Sequence, residues 1–438
     1  MRARVALCAL VVGAGAACGS RSPLDVARSG PDAGAAGGLG GTGAGGAGSG
    51  GLGGAGTGGA SGGAPSSCLG LALDPEVLTA TPLADHLDRW PTLSATSDDS
   101  ERLTLVFMRE TAAGSNLKQL KHVSFRPWLT WPGGTLGPLH DSFAHPDLAS
   151  TYAAGPGPNE RLALLVDHGG AVVSLAQSVD PEASGGSSTL SLTGTRPQLV
   201  TRSDQYALAG RLSTDQRRLL VSRRQVPDFS PEEAAIACGL PSPVGDAEPT
   251  PLGFLIATSN GAPIGSDCST QVSEPPERID IIEWRTDETP TTLLHIPVGE
   301  TVHALKTVRT PSALWVVYSV AGGTRIDVAR VGLPALDLVV ASLSQPGDWP
   351  LGFDASGLGE RLLITWGNDP AGNPPDLVVS LLDAPGDVRA QLAVEPPFVG
   401  APAILGSPAG DEAVLAWSEQ AVGAGVRVAR LRCLDSAR

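Results

Sequence analysis

The sequence predicts an all-β fold in which one strand unit is written about seven times. Three observations carry this. Short apolar strands recur at a spacing centred near 50 residues, proline and glycine are too frequent for long helices, with 37 and 56 copies in 438 residues, and helical periodicity is almost absent. The recurring strands are LTLVF at 103, LALLV at 162, YALAG at 206, GFLIA at 253, LWVVY at 314, LLITW at 362 and AVLAW at 413. Such strands are apolar on both faces, as expected of a sheet packed between two neighbours.

The clearest copies share more than one strand. Pro402 and Trp417 bracket an apolar strand, a Gly-Asp turn and a second strand. Pro350 and Trp366 stand in the same places, as do Pro91 and Phe107, while Pro146 and Pro197 open weaker copies. Proline suits a strand's first residue, which needs no ladder donor. Each unit reads as strand, turn, strand, loop, strand, with fourth strands such as TTLLHIPV and VRAQLAVE. One segment reads differently. SPEEAAIACG has a capping Ser230, Pro231 in a first turn, Glu232 and Glu233 at a helix N-terminus and Gly239 as a stop, which predicts a short helix carrying Cys238.

Tandem four-stranded units of this length resemble the blades of a β-propeller, and seven units fit the count; tandem β-sandwich domains are the alternative. The last unit runs out near Leu434 after its third strand, while LGLALDPEV after Cys68 is a strand without a unit of its own. An N-terminal strand completing the last blade closes the ring. No Trp-Asp, sialidase-box or kelch signature recurs, so the resemblance assigns no catalytic residue.

The N-terminus gives an address. Arg2 and Arg4 precede the apolar run VALCALVV and small residues ending at Ala17, the order of a secretory signal over residues 1–17. Gly15, Ala16, Ala17 and Cys18 resemble the lipobox of bacterial lipoproteins, in which the cysteine receives the lipid; Gly15 departs from the usual leucine there. The resemblance implies lipid attachment at Cys18 and, with Gly19 following, sorting to the outer membrane or cell surface. A periplasmic or secreted soluble protein is the alternative. Within the linker, 18–67, the stretch 30–64 has 19 glycines in 35 positions and almost no charge. Such a chain buries too little to offset its ordering entropy, and as a Gly-rich coil it reaches roughly 30 Å. The repeat domain then covers 68–438.

Removing Cys8 with the signal and Cys18 with the lipid leaves Cys68, Cys238, Cys268 and Cys433. Four cysteines in an exported chain predict two disulfides, for which three connectivities are open. Cys68 with Cys433 and Cys238 with Cys268 is preferred, because the first pair joins the two ends of the repeat domain. Without the signal, 28 basic residues face 45 acidic ones, a formal −17 that disfavours nucleic acid as a partner.

Sites for chemistry are sparse. His140 and His145 in HDSFAH read as loop residues, and no metal-ligand set, P-loop, dinucleotide fingerprint or nucleophile elbow stands in the repeat region, so no metal and no cofactor is expected. The acid pairs Asp98–Asp99, Asp287–Glu288 and Asp411–Glu412 read as turn residues. Trp366 and Trp417 read as core. Trp128 and Trp131 in RPWLTWPGG, with Arg126 nearby, flank a loop and are candidates to stack on a sugar or grip a protein. The expected function is a lipid-anchored, non-catalytic binding or scaffolding module whose partner is an envelope protein or glycan. The alternatives are a polysaccharide glycosidase or lyase with its site in the funnel and a structural envelope subunit.

Overall fold

The computed structural model describes residues 68–434 except for segments between strands, the longest being 79–87, 181–189 and 260–277. It is a seven-bladed β-propeller. Among the described residues there is no α-helix, and every sheet is antiparallel.

The chain first lays down β1 (Gly70–Leu73) and the two-residue β2 (Val77–Leu78). Blade 1 is β3 (Asp88–Ala95), β4 (Leu103–Glu110), β5 (Lys118–Phe125) and β6 (His140–Asp141). Blade 2 is β7 (Thr151–Pro156), β8 (Leu162–Asp167), β9 (Val172–Val179) and β10 (Leu190–Thr193). Blade 3 is β11 (Thr195–Arg202), β12 (Tyr206–Leu212), β13 (Arg218–Gln225) and β14 (Pro231–Cys238). Blade 4 is β15 (Val244–Thr250), β16 (Gly253–Ser259), β17 (Arg278–Arg285) and β18 (Thr291–Pro297). Blade 5 is β19 (Ala304–Arg309), β20 (Ala313–Val320), β21 (Arg325–Gly332) and β22 (Leu338–Ser342). Blade 6 is β23 (Pro350–Leu358), β24 (Arg361–Asn368), β25 (Asp376–Ala384) and β26 (Asp387–Val394). Blade 7 is β27 (Phe398–Gly406), β28 (Glu412–Glu419) and β29 (Val426–Leu434), with β1 as its fourth strand. The first strand of every blade packs beside the first strands of both neighbours, from β3 round to β27 and back. The ring is therefore closed.

Each recurring apolar run is the second strand of its own blade. β8, β16 and β20 are buried at every position, because one face packs on the preceding blade and the other on the following one. Among the described residues the hydrophobic core accordingly falls into seven clusters, one at each blade interface. Trp315, Val317, Phe353 and Trp366 join blades 5 and 6, and Ile404, Leu415 and Trp417 meet Leu363 and Val379 between blades 6 and 7. Trp366 and Trp417 are core residues, as read from the sequence.

Three expectations are corrected. SPEEAAIACG is not a helix: Pro231–Cys238 is β14, the outermost strand of blade 3. Its N-terminal acids serve as ion partners. Glu232 pairs with Arg223 of the adjoining β13 and Glu233 with Arg211 of β12, one strand further, and the backbone completes the ladder of β13, so tertiary pairing overrides local helix signals. Second, His140 lies in strand β6, paired to β5, and its ring is 5.5 Å from that of buried His122. Third, of the four repeat-unit prolines that the structure describes, only Pro350 opens its strand, while Pro146 lies outside the described residues. Pro91, Pro197 and Pro402 lie inside first strands at register irregularities, where a bulge and the unpaired inner edge both remove the need for a ladder donor.

The ring closes by a non-local join. β1 pairs β29 from Gly70↔Leu434 to Leu73↔Leu431, and Cys68 forms a disulfide with Cys433 across 365 residues. Just beyond β1, the Asp74 backbone N–H donates to the Arg430 carbonyl at 2.8 Å, and its carboxylate accepts from Arg430 Nε at 2.8 Å and from Arg432. Burial pushes the Asp74 carboxyl up, but the two guanidiniums outweigh it and hold it below the usual aspartate value. A carboxylate lowered on folding contributes stability above its unfolded value of about 3.9, and that contribution is lost as pH falls through the lower folded value. Titrating the thermal midpoint from pH 6 downward should therefore show an acid-side decline that is shallower in Asp74→Asn; parallel curves would show that the pair does not stabilise closure.

Candidate functional site

The innermost strands are where a propeller can gather side chains from several blades, and their polar residues are placed by the repeat. Asp246 of β15 lies four residues before Thr250, whose partner across the hairpin is Gly253. Asp354 of β23 lies four residues before Leu358, paired with Arg361. The two aspartates thus occupy the same position of blades 4 and 6, and they do the same work. Asp246 Oδ2 accepts from the Thr307 backbone N–H and hydroxyl, both at 2.8 Å. Asp354 Oδ2 accepts from the Ile404 backbone N–H at 2.9 Å. Each is a bond into the first strand of the next blade, and both aspartates are buried.

Asp354 also faces backwards. Lys306 of blade 5 places its Nζ 3.2 Å from Asp354 Oδ1, so one carboxylate ties three consecutive blades. Burial pushes the Asp354 carboxyl up, while the Lys306 charge and the Ile404 N–H oppose the rise. The Ser356 hydroxyl adds a 2.9 Å bond from the Gly406 N–H of the next blade. In blade 1, the Thr92 hydroxyl lies 3.0 Å from Tyr152 Oη of blade 2, which donates to the Val106 carbonyl. Asp246 and Asp354 were missed in the sequence; the available signal was the shared Asp-Ala inside the first strand of two repeat units.

Arg126, Trp128 and Trp131 lie just after β5, beside the seam where blade 1 meets blade 7. Trp128 and Trp131 are half-buried against the cluster that includes Leu103, Phe107, Val414 and Val428. The Arg430 guanidinium stacks 5.5 Å from the centre of the Trp131 ring and donates to the Pro127 carbonyl at 3.3 Å. Arg126 is exposed, 3.8 Å from Glu101, and Leu129 between the two indoles is 59% exposed.

That stacking belongs to a repeated device. Strand registers place Arg223, Arg330 and Arg430 at one position of the third strand in blades 3, 5 and 7, and each guanidinium covers an indole: Trp284 at 4.7 Å, Trp315 at 5.7 Å and Trp131. The motif is visible as Val-Ser-Arg at 221–223 and Val-Ala-Arg at 328–330 and 428–430.

Other sequence candidates are placed as follows. Asp411 accepts from the Ser407 hydroxyl in a turn of blade 7, and Glu412 begins β28. Among the described residues no three His, Cys, Asp or Glu side chains are grouped to hold a metal ion. Cys238 ends β14, but its side chain, together with Cys18, Asp98, Asp99, His145, Cys268 and Asp287, lies outside the described residues.

No protein-family model and no curated protein matches the chain. Among solved structures, it is similar to a protein of unknown function from Dyadobacter fermentans at 12% identity and a TM-score of 0.47, covering 83% of this chain and 100% of that one. It is also similar to a subtype N11 neuraminidase-like protein of A/flat-faced bat/Peru/033/2010 (H18N11) at 10% identity and a TM-score of 0.44, covering 85% of this chain and 95% of that one. At these identities no activity carries across.

Proposed function

We propose that this chain is an exported lipoprotein whose propeller is a non-catalytic binding or scaffolding module, tethered to the outer membrane or cell surface through Cys18 and held off the bilayer by the Gly-rich linker. The observation that carries the non-catalytic part is the use made of two of the buried carboxylates on the innermost strands, where Glu248 of β15 is buried as well. Asp246 and Asp354 are committed to backbone N–H groups of the next blade, and Asp354 also to Lys306. A glycosidase needs two carboxylates free to face a substrate at a defined separation; these two are spent on holding the ring. Export is supported by the Cys68–Cys433 disulfide, since such bonds persist in oxidising compartments. The disulfide and β1 stand where the Gly-rich segment joins the ring, so pulling on the tether loads a cross-linked strand.

The contact surface in this reading is the segment from Arg126 to Trp131, with Arg126 and Leu129 presented to a protein or glycan partner. The test is crosslinking in intact cells followed by detergent extraction. One recurrent protein neighbour, lost in Arg126→Ala with Leu129→Ser, supports scaffolding at this surface; a neighbour unaffected by those changes refutes the surface. For the anchor, Cys18→Ala is expected to move the protein from the membrane to the soluble fraction. Unchanged retention removes lipidation from the reading.

A further inference from the structure

The stacked arginines of blades 3, 5 and 7 are held in different ways. In blade 3, Arg223 Nε donates at 3.1 Å to Glu232 of β14, on the next strand and nine residues further along. In blade 5, the residue paired with Arg330 on the outer strand is Val339, which carries no charge. In blade 7 a carboxylate returns, but from the far end of the chain: Arg430 Nε donates at 2.8 Å to Asp74, 356 residues away and just beyond β1. Ring closure alone assembles this copy.

The same guanidinium supports the turn that follows β5. Its Nη1 donates to the Pro127 carbonyl at 3.3 Å, and its face lies 5.5 Å from the centre of the Trp131 ring. Between those two points the Thr130 N–H donates to the Arg126 carbonyl at 3.2 Å, which bends the chain and leaves Leu129 exposed at the tip. Both feet of the turn therefore rest on Arg430. A second carboxylate lies close by, since Glu412 Oε2 is 3.8 Å from Nη1, the nitrogen that serves Pro127. The Arg430 side chain is mostly buried, and a charge in such a place is costly without a counterion. Without Asp74, Glu412 is the carboxylate left beside it among the described residues.

We propose that the closing strand sets the conformation of the Arg126–Trp131 turn, with Asp74 and Arg430 as its positioning residues; this rests on the reading of that turn as the surface a partner meets. With β1 docked, Asp74 holds Arg430 against Pro127 and Trp131, and the turn is presented in one form. With β1 released, Arg430 passes to Glu412 and the turn loses both supports. Coupling of this kind is reciprocal, so a partner that fixes Trp131 also tightens β1. The linker enters the ring at Cys68, just before β1, so the end that carries the tether is strengthened when the surface is occupied.

The test uses the full mature chain without a partner, labelled with fluorotryptophan so that the indoles give fluorine resonances, that of Trp131 being assigned with Trp131→Phe. Asp74→Asn and Cys433→Ser both weaken the hold on β1. Each should shift and broaden the Trp131 resonance while that of Trp315 in blade 5 stays in place. Arg430→Lys keeps the charge but lacks the fork that reaches two partners at once, and it should do the same. Asp74→Glu keeps a carboxylate and should leave the resonance near its wild-type position. In the reverse direction, Trp131→Leu should speed hydrogen exchange in β1 by about threefold to tenfold, the loss of a cation–π contact felt across the joint. A Trp131 resonance unmoved in Asp74→Asn, a shift of all indoles together, or unchanged β1 exchange in Trp131→Leu overturns the coupling. None of these readouts depends on crosslinking through Arg126 and Leu129, so the coupling and the contact surface can fail separately.

Discussion

Replacing Asp354 with alanine is expected to destabilise the ring by about 3–5 kcal/mol, the usual cost of removing one partner from a buried ion pair. The size follows from what the carboxylate does. Asp354 is 6% exposed and Lys306 is 4% exposed, so the ammonium left behind has little recourse to water. The substitution also removes the acceptor for the Ile404 N–H, in the innermost strand of blade 7. Denaturant unfolding of the purified domain gives the measurement. Combining Asp354→Ala with Lys306→Met should recover part of the loss, because the second change removes the stranded charge. A loss below 1 kcal/mol for Asp354→Ala would mean that the inter-blade bonds are not what holds the inner ring.

Cys433→Ser is the second large effect, about 3–5 kcal/mol, from releasing a covalent loop that spans 365 residues. Its character should differ from that of Asp354→Ala. Without the crosslink, β1 is held to β29 by a four-residue ladder and by the Asp74 pairs, so the closing blade becomes a local weak point instead of the whole ring. Hydrogen exchange should show early loss of protection in β1 and β29, with β20 and β24 still protected at the same time. Equal loss across all blades would show that the ring opens as one unit, and an unchanged midpoint would show that the strand alone suffices.

Much of the architecture was legible because the repeat is a property of the chain. A strand packed between two sheets is apolar on both faces, and LALLV, LWVVY and LLITW fit that place. Ring closure was legible for a complementary reason: a three-strand unit at one end and a stray strand at the other leave unpaired backbone that each can satisfy for the other. Where reading failed, the deciding partner was remote in sequence or hidden in a register. Ser230 to Gly239 carries sound helix signals, yet Glu232 and Glu233 are worth more to Arg223 and Arg211 in a strand than to a helix terminus.

The site residues divide along the same line. The sequence could single out Trp128 and Trp131 as unusual, since two tryptophans sit among prolines and glycines. Only the packing brings Arg430 over Trp131, because blades 7 and 1 are neighbours through closure and some 300 residues apart along the chain. Arg224 is the sharper case. In RLLVSRRQ it is one of four arginines in or beside a strand, and nothing in the sequence singles it out. The pairing of β13 with β12 turns it inward, to the place where blade 5 has Val331, and it is buried there. The sequence by itself therefore determined the all-β class and favoured about seven units joined at their ends, because periodicity and backbone satisfaction act on every residue alike, and the structure decided for the propeller over tandem sandwiches. Which charges are buried, and against what, was decided only in the tertiary structure, because burial depends on the strand register and on the neighbouring blade.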